Sequence, residues 1–289
     1  MTATCFGVLH PGAMGASVGA ILAAGGHRVV WASQGRSDAT GRRARDAGLE
    51  EVATLGALCD QAQVLLSICP PHAAMATARA VADTGFDGVF VDANAIGPET
   101  AMAVLAELTA ATTIDGGIVG PPPERAGTTR LFLAGDGTGG AADQAAATLA
   151  ASFATSHLEV VTLARPAPAA SALKVAYAAW TKGSTALLLT VRAYARAAGI
   201  EDDLVAEWSR SQPGLDERCH SSAPGTADKA WRFSGEMDEI AATLRSTGLP
   251  DGFHAGAAEA YERLAGLKDH SEPVDLDAVL RTLLGARSQ

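Results

Sequence analysis

In the first half of the chain, short apolar runs alternate with segments whose apolar residues recur every three to four positions. The runs at 3–9, 28–32, 64–68, 88–92, 112–118 and 130–134 predict strands. The segments 13–25, 38–47, 54–60, 72–84, 98–110 and 141–154 predict helices between them. Such a βαβα rhythm implies a doubly wound, mostly parallel sheet. Val64-Leu65-Leu66-Ser67-Ile68 is almost wholly apolar, as a strand covered on both faces should be. The rhythm stops around Arg165-Pro166-Ala167-Pro168. A single helical pattern then runs from 169 to 198 and ends at Gly199, a normal C-terminal stop. Beyond it, 201–210, 227–247, 252–267 and 275–285 predict helices. Segment 211–226, rich in Pro, Gly and Ser, predicts a loop. The expected architecture is an α/β domain over 1–165 followed by an all-α domain over 166–289 that opens with a long helix.

Between the first strand and the first helix lies His10-Pro11-Gly12-Ala13-Met14-Gly15. In the G-x-G-x-x-G dinucleotide turn, the second glycine lets the backbone approach a pyrophosphate. The third lets the helix pack on the strand. Gly12 and Gly15 hold those two places, and His10 stands where the first glycine would be. The strand-turn-helix setting makes 1–165 a Rossmann domain in expectation, with Pro11 stiffening the turn. For His10 two readings stay open. It caps or tolerates the turn, or it donates a hydrogen bond toward the pyrophosphate or the nicotinamide ribose.

The second strand decides between nicotinamide cofactors. An NAD site carries an acid at its tip for the ribose 2′-hydroxyl. Here the tip reads Trp31-Ala32-Ser33-Gln34-Gly35-Arg36-Ser37, with Arg42 and Arg43 beyond. Guanidinium groups suit a 2′-phosphate, which a carboxylate would repel. Ser33 and Arg36 therefore predict NADP(H), with at least one of Arg42 and Arg43 on a solvated helix face.

Composition narrows the classes. A net charge of −10, with no basic cluster, disfavours nucleic-acid binding. No apolar run is long enough to span a bilayer, and no charged segment precedes an apolar one at the N-terminus. Cys5, Cys59, Cys69 and Cys219 form no C-x-x-C pair, which suits a reduced, cytoplasmic setting. His220 and His254 lack partners at metal-ligand spacing, so no metal is expected.

Several segments together resemble the β-hydroxyacid dehydrogenase superfamily, which includes 6-phosphogluconate dehydrogenase and the imine reductases. They are Gly7-Val8-Leu9-His10-Pro11-Gly12-Ala13-Met14-Gly15, Ser67-Ile68-Cys69-Pro70-Pro71, Asp92-Ala93-Asn94-Ala95-Ile96-Gly97-Pro98 and Asp115-Gly116-Gly117-Ile118-Val119-Gly120-Pro121. The resemblance implies that Ser67, Cys69, Pro70 and Asn94 lie beside the nicotinamide ribose. It also implies that Asn94, Asp115, Gly116 and Gly117 meet the substrate, and that Lys174 is the catalytic lysine. Lys229-Ala230-Trp231-Arg232-Phe233-Ser234-Gly235-Glu236-Met237 is similar to a branch with a poorly characterised C-terminal domain. Val119 and Pro121 depart from the family's carboxylate-binding segment, and Ala178 replaces its substrate-positioning asparagine.

On the long helix, Ser171, Lys174, Ala178, Thr181 and Thr185 fall on one stripe, with Tyr177 at its edge. That stripe predicts a wet groove in which Lys174 acts as acid or base. Tyr177 is a candidate to bind substrate in place of the missing amide, or else a buried aromatic. Lys182, farther round, binds an anion or stays solvated. Trp180, Trp208, Trp231 and Phe233 wall the pocket or serve core and dimer packing. In the resembled family such long helices interlock between two subunits, so a homodimer is expected. The leading reading is hydride transfer between NADP(H) and a small hydroxy acid, an alcohol or its oxo form. Reduction of a cyclic or aryl imine is the alternative, and a non-catalytic NADP-binding redox sensor is the reading from another class.

Overall fold

A computed structural model describes residues 3–269 and 274–285. The chain divides into two compact units, Met1–Val175 and Ala176–Gln289. The division thus falls inside the long helix rather than at Arg165, because the first turns of that helix are bonded to the sheet.

The first unit runs β1 (Cys5–Val8), α1 (Ala13–Ala24), β2 (Arg28–Ala32), α2 (Asp38–Asp46), β3 (Glu50–Val52), α3 (Leu55–Cys59) and β4 (Val64–Ser67). It continues with a 3-10 turn at Pro71–Ala73, then α4 (Ala74–Ala82), β5 (Val89–Asp92), α5 (Pro98–Ala106), β6 (Thr112–Val119), β7 (Thr129–Ala134), α6 (Ala141–Ala151) and β8 (Leu158–Thr162). Last comes the start of α7 (Ala169–Ala197). The strands form one sheet in the order β3-β2-β1-β4-β5-β6-β7-β8. All neighbouring pairs are parallel except β6 with β7.

Successive residues of the central strands line opposite faces, as strand geometry requires. Phe6, Val8, Leu66, Val91 and Ile114 join one core cluster with Val18, Leu22, Ala146 and Leu149 of α1 and α6. Val30, Leu65 and Phe90 join the other with Leu58, Ala78, Val81 and Val104 of α3, α4 and α5. Both faces are covered, so the strands read as continuous apolar runs. The strands absent from the sequence expectation are β3 and β8, the two edges of the sheet. Glu50-Glu51-Val52 is short and charged and Leu158-Glu159-Val160-Val161-Thr162 is interrupted by a charge, both common on edges, where they deter pairing with other chains.

The second unit continues α7 and adds α8 (Glu201–Ser211), α9 (Leu215–Ser246), α10 (Gly252–Leu264) and α11 (Leu276–Leu283). The loop expected over 211–226 is a correction. Only Gln212, Pro213 and Gly214 interrupt the helices, with Gly214 at φ +93°. Cys219, Ala223, Thr226, Ala227 and Ala230 are buried along one face of α9. Their small side chains supply an apolar stripe that Ser and Pro neighbours conceal in the sequence. Pro224 falls on the exposed side, where water can reach the carbonyl that loses its amide partner.

Candidate functional site

The turn after β1 is shaped for an anion. Gly12 is the N-cap of α1, no side chain caps the helix, and no acid stands in its first turn. The leading N–H groups of Ala13 and Met14 therefore face outward with the positive end of the helix dipole. Nothing lies within 4 Å of where a Gly12 Cβ would project. Gly15 is the opposite case: a Cβ there would sit 2.2 Å from the His10 carbonyl oxygen. That oxygen accepts the Gly12 N–H at 2.8 Å and closes the turn. Pro11 is held by Arg43, whose guanidinium donates to the Pro11 carbonyl at 3.2 Å, and Met14 packs on the core.

His10 is half-buried. Burial first, then the charge of Arg36 and the neighbouring His72, push its pKa down to about 4. The imidazole is neutral at pH 7, and its buried Nδ1 has no hydrogen-bond partner. Arg36 folds back to donate to the Leu9 carbonyl at 2.9 Å, leaving its Nε buried without an acceptor.

A cleft opens at the tip of β2. Trp31, Ser33, Arg36, Ser37, Asp38, Gly41, Arg42, Arg45 and Glu51 line it. Three arginines thus face two acids. Glu51 pairs with Arg45 at 4.0 Å, and neither Arg36 nor Arg42 has a carboxylate partner among the described residues. Of the two later arginines, Arg42 faces the cleft and Arg43 grips the turn.

At the tips of β4 and β5 the polar side chains bind one another. Asn94 is buried, and its Oδ1 accepts the Cys69 N–H at 2.6 Å. Its Nδ2 donates to Ser67 Oγ at 3.0 Å. Asn94 therefore straps the β4 loop to the β5 loop, which leaves one amide N–H for anything else. Pro70, exposed, begins the 3-10 turn that follows. Burial raises the Cys69 thiol pKa, so the thiol stays protonated.

Sequence reasoning passed over Asp92. It is 1% exposed, and its Oδ1 accepts the Asn94 backbone N–H at 3.1 Å. Its Oδ2 has no partner. Burial, with Asp115 adding repulsion, pushes its pKa up to about 7. Its advance signals were an acid ending an otherwise apolar strand and its place at the head of the family-like segment 92–98.

Asp115 is fully buried and lies in register with Asp92 on the adjacent strand. Its Oδ2 accepts the Ala170 N–H at 2.7 Å and the Ser171 N–H at 3.1 Å, and its Oδ1 accepts Ser171 Oγ at 2.5 Å. The carboxylate anticipated as a substrate contact is occupied instead by the first turn of α7, where a helix N-terminus favours a negative charge. Gly116 packs against β5, since a Cβ would meet the Asp92 carbonyl at 2.9 Å. Gly117 makes room for α7: a Cβ there would meet the Ala170 carbonyl oxygen at 2.6 Å and the Lys174 Cβ at 3.3 Å. Lys174 accordingly lies directly over β6, one turn into a helix pinned at its start.

Within the second unit the polar stripe of α7 is not the wet surface expected. Ser171, at its head in the first unit, is buried on Asp115, and Ala178 is buried. Thr181 and Thr185 bond the helix's own carbonyls. Its exposed large apolar and aromatic side chains are Tyr177, Trp180 (72% exposed), Leu187, Val191 and Tyr194 (68% exposed). Tyr177 is thus an exposed aromatic, not a buried one. Lys182 is not solvated: it pairs with Glu236 and lies 4.5 Å from the Phe233 ring centre. Burial lowers its pKa and Glu236 opposes that. Trp208 is core, whereas Trp231 is half-exposed under Lys268, which lies 4.2 Å from its ring centre. Among the described residues no three His, Cys, Asp or Glu side chains gather as metal ligands, and no helix is long and apolar enough to cross a membrane.

Comparison with solved structures gives the fold. A conserved protein of Sinorhizobium meliloti 1021 superposes with a TM-score of 0.71 at 23% identity, over 99% of this chain and 97% of that one. The 3-hydroxyisobutyrate dehydrogenase of Mycobacterium tuberculosis, solved with L-serine, gives a TM-score of 0.71 at 18% identity, over 98% and 99% of the two chains. This chain has the hydroxyacid-dehydrogenase fold. A reductive aminase of Aspergillus terreus, in complex with NADPH and ethyl-5-oxohexanoate, shares the fold with a TM-score of 0.56 at 18% identity, over 96% and 98% of the chains. Residues 195–264 match a domain of unknown function, DUF1932, so the helical unit of this hydroxyacid-dehydrogenase fold carries its own sequence signature. No curated protein matches the sequence.

Proposed function

We propose that the chain is an NADP(H)-dependent oxidoreductase. It moves a hydride between the nicotinamide and a small hydroxy acid or alcohol, or the corresponding oxo compound. The observation that carries this reading is the uncapped start of α1 beside the arginine-lined cleft at the tip of β2. The residues fit the cofactor. Gly12 leaves open space over the outward N–H groups of Ala13 and Met14, which would take the pyrophosphate. Ser33, Arg36 and Arg42 would take the 2′-phosphate, two of the cleft's arginines having no carboxylate partner among the described residues and Asp38 being the one unpaired acid that lines the cleft with them. Ser67, Cys69, Pro70 and Asn94 would border the nicotinamide side. When bound, the cofactor supplies or accepts the hydride.

Lys174 would move the proton on or off the substrate oxygen. Its backbone is fixed for that task, because Asp115 pins the helix start and Gly117 lets the helix sit close on β6. Fixed geometry is what general acid–base catalysis needs first. Asp115 and Asn94 would then act mainly by positioning, and Gly116 and Gly117 by letting β5 and α7 pack close on β6. Tyr177, on the same helix as Lys174, would add aromatic surface to bind substrate. Reduction of a cyclic or aryl imine remains the second reading. The Asp115-Gly116-Gly117-Ile118 segment and the fold shared with a reductive aminase favour it.

We also propose a homodimer built on α7. Tyr177, Trp180, Ser184, Leu187, Val191 and Tyr194 recur at alternating three- and four-residue steps, and all but Ser184 are exposed apolar or aromatic groups. That is the seam of a helix that packs against another helix.

NADPH oxidation followed with a panel of β-oxo acids, semialdehydes, ketones and cyclic imines tests the activity. Turnover of a carbonyl substrate with a lower KM for NADPH than for NADH is expected. Preference for NADH would remove the cofactor assignment, and turnover of imines alone would promote the second reading.

A further inference from the structure

Two carboxyl groups lie side by side under the strand tips. Asp92 ends β5 and Asp115 stands opposite it on β6, in register and therefore on the same face of the sheet. Both are essentially inaccessible to water. Their surroundings are unequal. Asp115 receives two backbone N–H groups and a hydroxyl from the start of α7. Asp92 receives one backbone N–H, that of Asn94, and its second oxygen is an orphan. Like charges this close do not both ionise readily in a buried site, and the better-solvated member keeps the charge. Asp115 is that member: burial raises its carboxyl too, but the bonds from Ser171 and Ala170 oppose the rise, so Asp92 is the first of the two to take up a proton as pH falls.

Asp92 also leads somewhere. Its Oδ1 fixes the Asn94 backbone, and the Asn94 amide fixes the Cys69 N–H and the Ser67 hydroxyl. One strand therefore ties three residues that border the proposed nicotinamide side. We propose that Asp92 is a positioning residue for the Ser67–Cys69 loop: through Asn94 it sets where that loop stands, and a change in its charge is transmitted there. The part that concerns cofactor affinity rests on the NADP(H) reading given above.

The groups that face Asp92 are few. Asp115 stands on β6, Ser67 is its register partner on β4, and Cys69 lies in the β4 loop, where its thiol feels the Asp92 charge. Arg36 in turn feels Cys69, and Lys174 rides on the helix that Asp115 holds. Ionising Asp92 places a second negative charge beside Asp115 without a donor for its Oδ2. The strain falls on the one bond it does make, to Asn94. Titration near pH 7 is consistent with its pKa of about 7.

The test is a pH titration from 5 to 9 of the full-length, ligand-free protein by 15N–1H NMR. The backbone amide of Cys69 and the side-chain amide of Asn94 are followed in the wild type and in Asp92→Asn. Both resonances should move together in the wild type with one midpoint near 7, and stay still in Asp92→Asn. Immobile resonances in the wild type, or the same midpoint in Asp92→Asn, would overturn the proposal. The wild-type titration stands alone if that variant does not fold, with Asp92→Ser as a second attempt. NADPH affinity is then measured across the same range. A several-fold weakening on the alkaline side, absent in Asp92→Asn, is expected. No NADPH binding at any pH, with the NMR midpoint intact, would count against the cofactor reading while leaving the Asp92 coupling in place.

Discussion

His10 and Asp92 give the residue scale its clearest predictions, because burial shifts them in opposite directions. His10 is held neutral down to about pH 4 when folded, whereas an unfolded histidine binds its proton near 6.5. Below 6.5 the unfolded chain takes up the proton that the folded chain refuses, so His10 lowers stability as pH falls from 6.5 to 4. Asp92 does the reverse. Its folded pKa of about 7 lies above the ordinary carboxylate value, so it lowers stability as pH rises from about 4 to 7. Thermal melts should show His10→Gln gaining most, relative to wild type, near pH 5, and Asp92→Asn gaining most near pH 7.5. Equal gains at both pH values for either variant would contradict these assignments. Gly15 is tied to a shorter-range effect. Gly15→Ala drives a methyl into the His10 carbonyl, so the turn must open. Loss of NADPH binding, with a Tm lowered by several degrees, is the expected result.

The elements show where sequence reading succeeds and where it stops. The central strands and their helices were legible because two covered faces force long apolar runs with little ambiguity of period. The edges, β3 and β8, were not, since an edge strand carries charges that make it look like a loop. α9 was half missed because alanine, cysteine and threonine make its buried stripe in segment 215–226, and these residues carry no strong hydrophobic signal. The site shows the same division. The turn residues, Arg36 and Lys174 were visible as residue types at fixed offsets. That Asp115 caps α7 was not visible, because the contact joins positions 55 and 56 residues apart. That cap makes a prediction for the element. Asp115→Ala leaves the Ala170 and Ser171 N–H groups buried without an acceptor, a loss of about 2–3 kcal/mol. A urea midpoint unchanged by this substitution would mean that α7 is not held there. In the helical unit, Arg192 is buried and bonds Glu201 at 2.7 Å and Asp216 at 2.6 Å, joining α7, α8 and α9. Arg192→Met breaks the link between the three helices, but Glu201 keeps Arg196 and Asp216 is partly exposed, so the cost by the same measurement should be about 1–2 kcal/mol.

At the scale of the whole molecule the two units divide the work that the proposed reaction requires. The first holds a phosphate-shaped turn, a cationic cleft and Lys174 on an anchored helix start. The second exposes the aromatic seam of α7, which the dimer proposal covers with a second copy. Sedimentation at micromolar concentration should return twice the 29.3 kDa chain mass, and Trp180→Glu with Leu187→Glu should return the single-chain mass. A wild-type mass of one chain would leave the seam unexplained. The central claim is that Lys174 moves the proton in an NADPH-linked reduction, and single-turnover kinetics with Lys174→Ala tests it most directly. The rate of NADPH oxidation should fall at least about a hundredfold while the Kd for NADPH stays within about twofold. An unchanged rate would take Lys174 out of the mechanism.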